Sequence, residues 1–156
     1  MQPKRVERTL EELSPVLEEL FKEGIACTIQ VTGNSMLPLW RDRRDQVTLA
    51  ACDATSLKKR DLVLYRRENG QYILHRILQI SHGYMDLCGD AQETIEEKVP
   101  VSAVLARVVR ICRDGHWFSC DHVLYRSYSL IWCLLRPIRG KILGMGSRMK
   151  RLVGKR

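Results

Sequence analysis

The sequence contains no apolar run long enough to cross a bilayer. Its most apolar stretch, Tyr128 to Leu135, is far too short, so no membrane-spanning helix is expected. A secretory signal is also missing: the first residues lack an apolar core of the needed length and are acidic instead. No two cysteines stand at C-x-x-C spacing. Only Cys120-Asp121-His122 puts a cysteine within ligand spacing of a histidine, and that triplet is too local to hold zinc by itself. No metal and no cofactor are therefore expected. The six cysteines, Cys27, Cys52, Cys88, Cys112, Cys120 and Cys133, lie mostly in apolar contexts, which favours buried free thiols in a reducing compartment. Nucleic-acid recognition motifs are absent as well. The net charge of +8 comes from basic residues that are spread or terminal, so nucleic acid is not an expected partner.

What is present suits one domain. A chain of 156 residues with 45% apolar and 28% charged residues can bury a modest core, which excludes disorder of the whole chain. Charge is unevenly placed. Glutamates crowd the first turns, and the last stretch from Arg136 is almost purely basic. A basic tail suits an anionic lipid surface or an acidic partner, and charge alone does not choose.

Three segments follow from texture. Residues 1–24 hold an amphipathic helix over about 5–23, with Val6, Leu10, Leu13, Leu17 and Leu20 at helical spacing. Ser14-Pro15 is expected to kink or split it, and Gly24 to end it. Residues 25–122 read as short strands: 25–31, 46–50, 61–66, 72–80, 84–88, 104–112 and 116–118. Turns at Glu68-Asn69-Gly70, Ser81-His82-Gly83 and Arg113-Asp114-Gly115 separate several of them. Such closely spaced strands predict a mainly β fold, a coiled antiparallel sheet or partly open barrel. Residues 123–156 form a basic, partly apolar helical tail broken by Pro137. Its first half is expected to dock on the sheet, and its second half to contact an anionic membrane surface peripherally, with Trp132 near the interface.

Within the β region three polar features stand out. Ser35 lies in Thr32-Gly33-Asn34-Ser35-Met36-Leu37-Pro38-Leu39, a turn after a strand. Gly33 permits the sharp bend and Pro38 keeps Leu37 extended. His75 sits between apolar neighbours in a strand, where a proton acceptor tuned near neutral pH is available. Asp90 follows Gly89 at a strand end. Taken singly, each is more often structural than catalytic.

In this order, however, the segments resemble the type I signal peptidases. Gly33 to Leu39 is similar to their G-x-S-M-x-P-x-L signature, and Arg60-Asp61-Leu62-Val63-Leu64-Tyr65 to their G-D-[IV]-V-x-[FY] strand, with Arg60 in the glycine position. Leu74-His75-Arg76-Ile77 and Cys88-Gly89-Asp90-Ala91-Gln92 match their h-R-[VI] segment and G-D-x-[NQ] box. The likeness runs from about Val31 to Val109. It implies the fold of signal peptidases and self-cleaving repressors. It also implies a serine endopeptidase that cleaves a leader, signal or propeptide within a peptide or protein substrate. Having histidine where other members have lysine, the chain resembles the histidine form. Ser35 is then the nucleophile, His75 the general base and Asp90 the carboxylate that orients it. The Ser35 N–H is the expected oxyanion donor, with Gly33, Asn34 and Met36 as further substrate or oxyanion contacts. Glu96 takes the place of a second acid found in that form, on a longer arm. The family's N-terminal membrane anchor is replaced by an acidic helix, so a cytoplasmic enzyme is expected, peripheral on the inner membrane face. A non-catalytic peptide-binding module on the same fold is the alternative.

Overall fold

Turn chemistry sets much of the sheet. The computed structural model describes residues 10–144, and in it His82-Gly83 has φ of 50° and 80° and Asp114-Gly115 has φ of 52° and 83°. Two consecutive residues at positive φ make the type I′ turn whose twist matches that of a hairpin. The first pair joins β4 (Tyr72–Ser81) to β5 (Tyr84–Cys88), and the second joins β7 (Val104–Arg113) to β8 (His116–Ser119). Gly70, at φ 86°, closes the loop between β3 (Leu62–Arg66) and β4. The remaining strands are β1 (Cys27–Gln30), β2 (Gln46–Ala50) and β6 (Glu96–Pro100). The charged segment Glu96-Glu97-Lys98 shows no apolar alternation, which is why β6 is invisible in the sequence. It joins the sheet by pairing with the edge of β5.

The fold is a mainly antiparallel sheet of eight strands that does not close into a barrel. Its order is β1-β2-β7-β3-β4-β5-β6, with β8 also on β7. β7 is the pivot. Residues 107–112 pair with β2 on one edge, while 104–107 pair with β3 and 110–113 with β8. β3 is consequently buried on both faces, with Leu62 and Leu64 in one apolar cluster and Val63 and Tyr65 in another.

Helices flank the sheet at both ends of the described chain. α1 (Leu10–Lys22) sends Leu17 and Phe21 into the core beside Val31, Met36 and Trp40. Of the two outcomes expected at Ser14-Pro15, the split into two helices does not occur: Pro15 lies inside one continuous helix. Pro15 has no N–H for the Glu11 carbonyl, and the Ser14 hydroxyl donates to that carbonyl instead, at 2.9 Å. Gly24 ends the segment at φ 73°, with Ile25 N–H donating to the Leu20 carbonyl and Gly24 N–H to that of Phe21. α2 (Val123–Leu134) follows β8, and the chain is helical again over 139–144 beyond the break at Pro137. The parts of the expected N-terminal helix and basic tail at 1–9 and 145–156 lie outside the described residues. Among the described residues no helix is long and apolar enough to cross a membrane.

Candidate active site

The loop that carries Ser35 is closed at its base by backbone bonds. Val31 N–H donates to the Asp45 carbonyl at 3.1 Å and Arg43 N–H to the Val31 carbonyl at 2.9 Å. Gly33 turns the chain at φ 81°, a conformation that side-chain-bearing residues rarely adopt. Its N–H donates to Asp42 Oδ1 at 2.8 Å. That bond occupies the Gly33 N–H. Met36 is fully buried in the core and Asn34 is exposed. The backbone N–H of Ser35 has no acceptor among the described residues and remains available.

The Gly89-Asp90-Ala91-Gln92 box grips this loop. Ala91 N–H donates to the Ser35 carbonyl at 2.8 Å, and Asp90 N–H reaches Met36 Sδ at 3.4 Å. A Cβ on Gly89 would lie 2.6 Å from the Ser35 carbonyl oxygen, so only glycine allows this approach. From behind, buried Arg139 donates to the Gly89 carbonyl at 3.1 Å and to that of Gln92. The box thus fixes the backbone on which Ser35 is mounted.

His75 arrives from another direction. Opposite Val63 in the β3–β4 ladder, it shares a sheet face with Val63 and Tyr65 and is 2% exposed. Ser35 and His75 line one cavity of about 260 Å³, with Gln30, Met36, Tyr72 and Gln92 among its walls. Behind the imidazole, Nδ1 lies 3.2 Å from the Tyr65 hydroxyl and 3.5 Å from Glu96 Oε1. Glu96 is held in turn by Arg67, whose Nε donates to Oε2 at 2.9 Å and whose Nη2 donates to Oε1. Burial pushes the imidazole down to about 4, against the opposing pull of Glu96, so His75 is neutral at pH 7. Burial would raise the Glu96 carboxyl, but the Arg67 guanidinium and the Tyr65 hydroxyl hold it below the usual carboxylate range. Burial and Glu96 push Tyr65 well above its ordinary value, so its hydroxyl stays protonated.

Asp90 does not take the place expected of it. Its carboxylate forms a two-pronged pair with Arg76, Oδ1 accepting from Nε at 2.7 Å and Oδ2 from Nη2 at 2.6 Å. Arg76 also donates through Nη1 to Ser129 Oγ at 2.6 Å, Tyr125 Oη at 3.2 Å and the Arg60 carbonyl at 3.1 Å. The reason is the pleat: Arg76 follows His75 and points to the opposite face of β4, where α2 lies. The carboxylate beside the imidazole is that of Glu96. Tyr65 and Arg67 were not singled out in the sequence. The hairpin register, pairing Val63 with His75 and Arg66 with Tyr72, is the signal that puts Tyr65 on the imidazole's face. Trp132, expected near a membrane interface, is buried and donates from Nε1 to the Asp90 carbonyl at 3.1 Å. Among the described residues no group of three His, Cys, Asp or Glu is arranged to hold a metal ion. No protein-family model matches the chain, and no similar curated protein or solved structure was found for it.

Proposed function

We propose that this chain is a serine endopeptidase of signal peptidase type, cleaving a leader, signal or propeptide through an acyl-enzyme. The observation that carries the reading is the convergence of Ser35 and His75 on one cavity, with Tyr65 and Glu96 at the far nitrogen of the imidazole. A carboxylate near Nδ1 favours the tautomer with its proton there, leaving Nε2 as the acceptor. Ser35 Oγ attacks the scissile carbonyl and its proton passes to Nε2. The tetrahedral oxyanion is met by the Ser35 N–H. His75 then gives that proton to the departing amine. Water repeats the sequence on the ester, with His75 taking its proton and returning it to Ser35. Glu96 supports the imidazolium that forms at each step.

An extended substrate has edges to pair with. Among the described residues, the one strand laddered to β1 is β2, and residues 72–75 of β4 are laddered on the β3 side alone. Ile29 to Thr32 and Tyr72 to His75 both line the cavity, which suits strand addition by an extended peptide. All six cysteines are free, which suits a cytoplasmic setting.

A fluorophosphonate probe tests the reading. The full chain is expected to be labelled, the Ser35→Ala chain not at all, and the His75→Ala chain about 10³-fold more slowly. Equal labelling of parent and Ser35→Ala chains sinks the assignment. Peptide binding without any labelling identifies a non-catalytic peptide-binding module.

A further inference from the structure

α2 is apolar on two opposite faces. Its inner face, Tyr125, Ser129 and Trp132, is buried against the sheet and the Arg76–Asp90 pair. At 3.6 residues per turn, Val123, Leu124, Leu130, Ile131 and Leu134 fall on the other side. They are 67%, 72%, 43%, 56% and 70% exposed. Ile138 and Ile142 continue the apolar surface past the break at Pro137. The helix carries one charge, Arg126, on its flank. A helix apolar all round normally has both faces covered, and a contiguous exposed patch of this kind marks a contact surface.

Charge selects the occupant. Beyond Asp121 the chain has no Asp or Glu, and every charged residue is Lys or Arg. A second copy would bring that same positive field against itself. Residues 1–9 offer only Met1 and Val6 as large apolar groups, too little to cover the face. An anionic lipid surface supplies both apolar depth and opposite charge. Trp117, 40% exposed and sharing a cavity with Leu124 at the start of α2, is the kind of side chain that settles at headgroup level. Twelve residues make a helix of about 18 Å, against a hydrocarbon core of about 30 Å, so the helix lies in the plane and does not cross.

We infer that the outer face of α2 docks into the interfacial layer of an anionic bilayer. The inner face meanwhile holds Arg76 through Tyr125 and Ser129 and the Asp90 carbonyl through Trp132. Docking therefore sets the Ser35 loop at a fixed height above the lipid. The inference does not depend on the catalytic reading, because vesicle binding is scored without activity and Ser35→Ala is expected to bind like the parent.

Flotation of the full chain with phosphatidylcholine vesicles, with and without phosphatidylglycerol, tests it. The parent is expected to float with the anionic vesicles, and added salt to weaken binding. Leu130→Glu combined with Leu134→Glu is expected to lower the bound fraction by about tenfold or more, with an unchanged far-UV spectrum. Should that pair disturb the fold, Leu134→Gln alone is expected to lower binding by about threefold. A parent chain that stays in the aqueous layer with both vesicles overturns the inference, as does a well-folded double variant that floats like the parent. A lipid-free dimer that the double variant converts to monomer also overturns it, in favour of a second copy on this face.

Discussion

His75 and Arg76 are consecutive, almost fully buried and each paired with a carboxylate, yet they do different work. Arg76 faces α2, where Asp90 and three further oxygens satisfy its donors, two of them on the helix. Arg76 itself is 1% exposed, and its donors end on the Asp90 carboxylate and on oxygens of Arg60, Tyr125 and Ser129. His75 faces the other way, with one nitrogen near Tyr65 and Glu96 and no partner at Nε2 among the described residues. Its carboxylate is partly exposed, with 24% of the Glu96 side-chain surface open, against 1% for Asp90. Removing one partner of a fully bonded buried ion pair is strongly destabilising, whereas a buried base with one open nitrogen is available for proton transfer.

Exchanging the two carboxylates' fates separates the roles most sharply. Asp90→Ala leaves Arg76 charged and unpaired in the core and is expected to destabilise the protein by about 3–5 kcal/mol, read from the urea midpoint. Glu96→Gln is expected to change stability by less than about 1 kcal/mol while lowering kcat about 10²-fold. The reverse result, with activity tracking Asp90 at unchanged stability, would restore Asp90 as the orienting acid.

Acid distinguishes the neighbours next. The folded His75 value of about 4 lies below the ordinary value near 6.5, so the unfolded chain binds this proton more readily. Its contribution is complete above about pH 6.5 and is lost as pH falls toward 4, costing on the order of 3 kcal/mol. Replacement by His75→Gln should flatten the stability curve across that window, whereas Arg76 does not titrate there. The acid limb of kcat/KM should likewise fall near pH 4 in the parent. Arg67→Ala should move it upward, because the guanidinium opposes the imidazolium charge.

The smallest effect concerns the backbone beneath Arg76. Arg60 holds φ 77°, its N–H donating to the Ile77 carbonyl at 2.8 Å. Arg60→Gly relieves that conformation and is expected to raise stability by about 1 kcal/mol without altering kcat, checked by paired denaturation and turnover curves.

Sequence alone determined the local elements. Alternating strands around His-Gly, Asp-Gly and Asn-Gly turns predict hairpins, because turn geometry and apolar period are properties of neighbouring residues. Ser35 stands out as a serine on a turn after a strand, and His75 as a histidine between apolar neighbours in a strand. Only the tertiary structure decided which carboxylate lies beside the imidazole and which pairs with Arg76. Asp90 and Glu96 are close in the chain, and the choice depends on the pleat of β4, on a charged strand joining the edge of β5, and on α2 covering one face alone. It likewise decided that Trp132 is core while the outer leucines of α2 are exposed. Helical spacing groups residues into faces, and only packing against the sheet says which face is buried.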